Sequence, residues 1–426
     1  MEAQYDFENM PVVDIVNDTI LVAIDKGASD IHFDPFNDDL KIRMRIDGEL
    51  SDYALIPASI KKNLITRIKI ISGMNITESR IPQDGAIKKD MNSSDLDFRV
   101  ASLPVQKGEK IVIRILDYSM SNAGLESLGF SDYNMPLVRK IISAPSGIVL
   151  VTGATGTGKS TTVYSILGYL NSKERNIITV EDPVEMKIAG VNQVQVLTDI
   201  GLTFGNTLRS ILRHDPDIIM IGEIRDNETA RIAVRASITG HLVLSTVHTN
   251  NSLNTIERLL DMDVERYLLG SALSGIISQR LVKKLCQYCR GTKETNDYEK
   301  EVFKKALGLD INSISTPVGC PKCIKGYSGR TAIQEVLIIN ESIRDAIVGN
   351  VKKERLRRLV YDKKSMVTIL QDGLNKVVSG LTSFEEIIRV IDLDDDFGSE
   401  DDEIRAALIG KTQDVELPKE VDIKTD

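Results

Sequence analysis

Gly153-Ala-Thr-Gly-Thr-Gly-Lys-Ser160 sets three glycines, a lysine and a hydroxyl in one eight-residue run that fits G-x-x-x-x-G-K-[ST]. Such a loop lets the backbone amides of Gly153, Ala154, Thr155, Gly156, Thr157 and Gly158 wrap a chain of phosphates, and the helix that opens near Thr161 adds positive potential. In that chemistry Lys159 contacts the β and γ phosphates of ATP and the Ser160 hydroxyl ligates Mg. Hydrolysis also needs an acid. Asp217-Ile-Ile-Met-Ile-Gly-Glu-Ile-Arg225 carries Glu223 to the carboxyl end of an apolar strand, where it is placed to orient or deprotonate water. Glu181, Asp182 and Glu185 follow another apolar strand and fit the same Mg and water shell, although Asp-Pro also opens ordinary turns.

His241 and His248 bracket the run Leu242 to Val247, and their odd separation points the two rings to opposite faces of a strand, which argues against a shared metal. His248 is placed to sense a γ-phosphate; for His241 a structural role fits as well as a functional one. Arg209 and Arg213 are four apart on an expected helix and so share a face, while Arg99 and Arg114 fall on two expected strands. By spacing alone all four arginines read as solvated surface. All four cysteines of the chain form two C-x-x-C pairs, Cys286/Cys289 and Cys320/Cys323, with 30 residues between them. Four thiolates from two tight turns suit tetrahedral Zn in a structural role, since no coordination position is left for water. Paired disulfides fit a reducing cytoplasm poorly.

The elements that must hold these residues are legible as two textures. Val13, Val16, Ile20 and Ile24 recur at helical spacing and the helix should stop at Gly27. Ile42, Met44 and Ile46 alternate with Arg43 and Arg45 in a half-buried strand that enters an Asp47-Gly48 hairpin turn. A helix over about 59–72 and strands over 96–101 and 110–116 complete a small α+β domain, residues 1–118, followed by a linker, 119–128. Beyond it, short apolar runs at 148–152, 177–180, 217–221 and 241–247 alternate with helical stretches, the pattern of a parallel sheet covered on both faces. This α/β core spans 129–391, includes the tetracysteine element 286–323, and ends in helices over about 341–390.

Length points to two or three domains. No apolar stretch approaches the roughly 20 residues of a membrane-spanning helix and the start lacks a secretory signal, so a cytoplasmic protein is expected. Residues 392–426 hold 13 acids and 4 bases, so the whole net charge of −9 sits in that tail, which is expected to be disordered. Residues 1–391 carry 49 charges of each sign, which argues against broad nucleic-acid binding.

Taken in order, Gly27-Ala-Ser-Asp-Ile-His32, Arg43-Met-Arg-Ile-Asp-Gly48, Arg80-Ile-Pro-Gln-Asp-Gly85, the phosphate loop, Val180-Glu-Asp-Pro-Val-Glu185, Gly222-Glu-Ile-Arg-Asp226, Gly240 to Asn250 and the tetracysteine pair resemble the type II secretion and type IV pilus assembly ATPases, over roughly residues 12–390. The resemblance implies a RecA-like P-loop ATPase core and a hexameric ring in which the small N-terminal domain of one subunit packs on the core of its neighbour. It matches Glu223 to the Walker B glutamate, Glu181, Asp182 and Glu185 to the aspartate box, and His241 and His248 to the histidine box. Arg99, Arg114, Arg209 and Arg213 match family arginines that reach the γ-phosphate, some across the subunit boundary. It further implies ATP bound at the junction of first domain and core, and a polytopic inner-membrane platform protein as partner, with peripheral recruitment to the cytoplasmic face of that membrane. About eleven residues precede the first expected helix, so the extra N-terminal docking domain of larger relatives is not expected here. Three readings stay open beside the assembly motor: a retraction or DNA-uptake motor of the same superfamily, a nucleotide-gated scaffold without turnover, and a thiol redox centre at the C-x-x-C pairs. The tetracysteine element favours assembly over retraction.

Overall fold

The computed structural model describes residues 7, 10–91, 94–117, 124–362 and 366–391. The expected acidic tail and residues 119–123 of the expected linker lie outside the described residues. The chain divides after residue 122 into two compact units.

In the first unit, helix α1 (Val12–Asp25) and helix α2 (Ala58–Ile71) cover one face of a six-stranded antiparallel sheet. Its strands are β1 (Ala28–Phe36), β2 (Asp39–Ile46), β3 (Glu49–Ile56), β4 (Gln83–Met91), β5 (Ser94–Val105) and β6 (Gly108–Asp117), in the order β3-β2-β1-β6-β5-β4. Period-two alternation explains the layering: Ile31, Phe33, Ile42, Met44, Phe98, Ile111 and Ile113 point into the core under the helices. Charged residues of β1, β2 and β6 form a ladder of ion pairs. Asp30 pairs with Arg114 at 2.9 Å and Asp34 with Arg43 at 2.7 Å, and in the strand register Arg99 lies opposite Arg114, which lies opposite Asp30. In α1 the expected positions Val16 and Ile20 are buried, joined by Ile15, Thr19 and Ala23, whereas Val13 is 42% exposed, so the buried stripe is centred slightly away from the expected face.

In the second unit a seven-stranded sheet runs β15-β12-β7-β11-β10-β8-β9. Strands β7 (Gly147–Thr152), β8 (Ile177–Glu181), β9 (Asn192–Gln195), β10 (Ile218–Ile221), β11 (Leu242–Val247) and β12 (Leu273–Leu285) are parallel, and only β15 (Tyr327–Ile338) is antiparallel. Every residue of β7, β8, β10 and β11 is buried, because helices cover both faces. Ile148 and Leu150 face the cluster built with α5 (Phe204–Ile211), α6 (Asn227–Ile238), α7 (Ser252–Asp261), α8 (Arg266–Ala272) and α10 (Glu341–Val348). Val149 and Val151 face α3 (Asn134–Ile142) and α4 (Lys159–Leu170). A two-residue-period strand buried on both sides must be apolar throughout, which is the continuous run seen in the sequence. The four runs expected to form a parallel sheet do so, β15 adds an antiparallel edge that was not foreseen, and Leu125–Leu128, at the expected linker's end, forms a 3-10 helix with Leu125 buried. A separate cluster joins α9 (Asp297–Leu307), α12 (Ile369–Val378) and α13 (Phe384–Val390) to Val282 and Ile333 of the β12/β15 pair.

Candidate active site and metal centre

Because β7, β8, β10 and β11 are parallel, their carboxyl ends share one edge of the sheet. That edge carries the phosphate loop after β7, Glu181 ending β8, Glu223 just past β10 and His248 just past β11. A cavity of about 400 Å³ opens there, lined by Thr155, Gly156, Gly158, Lys159, Ser160, Thr161, Tyr164, Glu181, Asp182, Glu185, Glu223, His248, Leu281 and Arg330.

The loop is shaped by two glycines. Gly158 has φ of +86°, a left-handed conformation that costs other residues dearly, and a Cβ on Gly153 would stand 2.5 Å from the Gln279 carbonyl oxygen. Helix α4 opens at Lys159, two residues before the expected start, so the lysine and Ser160 belong to its first turn. Lys159 Nζ donates to the carbonyls of Gly153 at 2.8 Å and Ala154 at 3.0 Å, inside the loop it closes. Burial draws its pKa below the ordinary value, with the Glu223 carboxylate acting in the opposite sense.

Glu223 is the meeting point of three cations or potential cations. Arg225 forms an ion pair with its Oε1, His248 Nε2 lies 3.3 Å from its Oε2, and His248 Nδ1 lies 3.4 Å from Lys159 Nζ. Burial and then the neighbouring Lys159 lower the His248 pKa below its ordinary 6.5, so the imidazole is neutral at pH 7. Glu181 is only 2% exposed and its carboxylate is already engaged: it accepts from the Tyr164 hydroxyl, from Thr179 Oγ1 at 2.5 Å and from Gln193 Nε2 at 3.1 Å. Tyr164 in turn accepts from the Glu185 and Met186 amides at 3.1 and 3.3 Å. The first acid of the triplet therefore anchors the segment that presents Asp182 and Glu185 to the cavity.

Several expected site residues lie elsewhere. His241 precedes β11, at the opposite end of the strand from His248, and bonds through Nδ1 to the Ala236 carbonyl at 2.9 Å. Helix α5 ends at Ile211, so Arg213 stands beyond it and does not share a helical face with Arg209; its guanidinium folds back on the Arg209 carbonyl at 2.9 Å. Arg209 pairs with Glu228 at 2.5 Å. Arg99 and Arg114 belong to the first unit's charged ladder. Conversely, Tyr164, Gln279, Leu281 and Arg330 were not anticipated, and Arg225 entered only as the end of the run that carries Glu223. Gln279 is one of several polar residues that interrupt β12, and nothing local sets it apart from them.

The four cysteines come together at the end of β12 and the turn before β15. Their Sγ atoms lie within 4.8 Å of one another, with Cys286–Cys320 at 3.9 Å, Cys289–Cys323 at 3.6 Å and Cys320–Cys323 at 3.7 Å. Four thiolates about 2.3 Å from one tetrahedral Zn stand about 3.8 Å apart, so the set fits that ion without rearrangement. The Gly319 and Cys320 amides donate to Cys289 and Cys323 sulfur at 3.3 Å each, as thiolate ligands require.

Comparison with known proteins agrees with this geometry. A model of the type II/IV secretion system protein family matches residues 6–389. The type II secretion system protein E of Dickeya dadantii is 44% identical over 384 residues, 90% of this chain and 76% of that protein. The type II secretion system ATPase E of Vibrio cholerae is 42% identical over 386 residues, again 90% of this chain and 76% of that protein. Among solved structures, the pilus retraction motor PilT with bound ADP superposes with a TM-score of 0.61 at 27% identity, covering 90% of this chain and 97% of that one. The Legionella pneumophila ATPase DotB superposes at 0.67 and 22% identity over 88% of this chain and 95% of its own, a likeness of fold.

Proposed function

Because the chain belongs to the type II/IV secretion system protein family, we propose that it is an ATP-hydrolysing motor that powers assembly of a type IV pilus or type II secretion pseudopilus at the inner membrane. The observation that carries the reading is the convergence of Lys159, Ser160, Glu223 and His248 on one cavity at the carboxyl edge of the sheet. The loop amides and Lys159 bind the phosphates of ATP. Ser160, with Asp182 and Glu185 close by, offers the hard oxygen donors that Mg requires, and the ion supplies charge neutralisation on the phosphates. Glu223 orients the attacking water and takes its proton, held in place by Arg225 and His248. In the assembled ring Arg99, Arg114, Arg209 and Arg213 neutralise the charge that develops on the transferred phosphoryl group. That role rests on the family resemblance, and it requires Arg209 to leave Glu228. His241 supports α6 and β11 rather than the chemistry.

Hydrolysis drives a conformational change that a homo-oligomer, a hexamer by the family resemblance, passes to a polytopic platform protein. The chain docks peripherally; no helix among the described residues is long and apolar enough to cross a membrane. Zn held by Cys286, Cys289, Cys320 and Cys323 cross-links the module between β12 and β15.

Steady-state phosphate release from purified protein with Mg and ATP tests the assignment. Lys159→Ala should fall to background, and Glu223→Gln should retain nucleotide binding while losing about 10²- to 10⁴-fold in turnover. Full activity in Lys159→Ala would overturn the phosphate site. A retraction motor would share this core, and the likeness to PilT keeps that reading in view. Deleting the gene separates the two, since loss of fibres marks assembly and their accumulation marks retraction.

A further inference from the structure

Gln279 sits near the middle of β12, seven residues before Cys286 and outside the stretches of sequence that announce phosphate chemistry. Its side chain is buried, 1% exposed, in a strand whose neighbours Ile276 and Ile277 are core residues. A buried amide is costly unless its donor and acceptor are both used. Here both are: Nε2 donates to the Thr157 carbonyl at 2.7 Å, and Oε1 accepts from the Thr162 hydroxyl at 2.8 Å.

Those two partners lie on either side of the corner where the loop becomes α4. The loop also rests on this residue at both ends, because a Cβ on Gly153 would meet the Gln279 carbonyl at 2.5 Å and one on Gly158 would meet Nε2 at 3.2 Å. A phosphate loop works by aiming its amides inward, which turns carbonyls away from the ligand and toward the protein. Such a carbonyl needs a donor behind it. A side-chain amide supplies that donor and an acceptor for Thr162 from one planar group, whereas a carboxylate cannot donate and an ammonium cannot accept.

We propose that Gln279 is a positioning residue for nucleotide binding: it sets the loop's curvature from the side away from the phosphates and locks it to the first turn of α4 without touching ATP. The proposal rests on the reading of this loop as the ATP site. Gln279→Leu keeps the volume but leaves the Thr157 carbonyl and Thr162 hydroxyl unpaired. Affinity for a fluorescent ATP analogue should fall about tenfold, the size of one buried hydrogen bond left unmade, and kcat should fall less than the affinity. Thr162→Val should weaken binding by a smaller factor, and the double variant should lose less than the product of the two single losses.

The measurement is equilibrium binding of the analogue to the full chain with Mg, paired with the thermal midpoint of each variant. A purely structural role would lower the midpoint and leave the dissociation constant, read well below it, unchanged. Wild-type binding with an unaltered constant in Gln279→Leu overturns the proposal alone; absence of binding by wild type overturns the ATP site along with it. Should Gln279→Leu fail to fold, Gln279→Met and Thr162→Val carry the test, and unaltered affinity in both overturns it.

Discussion

His248 stands between Lys159 Nζ and the Glu223 carboxylate, and its charge decides what those two groups feel. Its pKa is depressed, so the neutral ring is the form the folded site favours: that contribution is complete above the ordinary value of 6.5 and is lost as pH falls through the lower, folded value. Turnover is therefore expected to hold steady from pH 8 down to about 6.5 and to decline below it as a second cation forms beside Lys159. A pH profile of kcat/KM checks this, and His248→Gln should flatten the acidic limb that His248 contributes. At this scale the sequence was informative wherever a motif prescribes backbone as well as side chain, as at Gly153 to Ser160. It was least informative for residues defined by partners. Glu181 reads like its neighbours Asp182 and Glu185 until Tyr164, Thr179 and Gln193 are seen to occupy its oxygens, and Gln279 is one of several polar residues along β12 until its two partners are seen.

Elements explain why Asp226, four residues on from Gly222 in the same short motif, does different work from Glu223. Its side chain caps α6, accepting from the Thr229 amide at 2.8 Å and the Thr229 hydroxyl at 2.9 Å. Asp226→Ala is expected to cost about 1 kcal/mol of stability with turnover at permissive temperature preserved, whereas Asp226→Asn should be close to neutral; denaturant unfolding and phosphate release on the same samples separate the two effects. Strands β7, β8, β10 and β11 were legible because burial on both faces forces an unbroken apolar run. Strand β12 was not, since Ser278, Gln279 and Arg280 interrupt it for reasons visible only once the loop and the chain near Asn250 lie beside it. Strand β1 hides Asp30, His32, Asp34 and Pro35 among its apolar residues, because its outer face is a charged ladder. The end of α5 was missed for a related reason: Leu212 and Arg213 continue the helical spacing after the hydrogen-bonded helix has stopped.

The molecule as a whole has two units with separate cores and one metal-fitting cluster among the described residues. Purified protein is expected to hold one Zn per chain, read by elemental analysis, and to lose it to a thiol-reactive mercurial. Metal-stripped protein should show a lower unfolding midpoint for the second unit, since the thiol cross-link spans the module between β12 and β15. The four-cysteine module could be anticipated from spacing; the mixed edge of the large sheet could not, because no local pattern in a buried strand distinguishes an antiparallel return from one more parallel strand.

Strand β12 touches two chemistries along one stretch of backbone: Gln279 braces the triphosphate loop and, at the strand's far end, Leu285 hands the chain to Cys286. Six paired positions from Gln279 to Leu285 join that length to β15. One strand thus carries both the brace of the nucleotide cradle and the approach to the first thiol of the metal centre, so a one-residue slip in its register would disturb both at once.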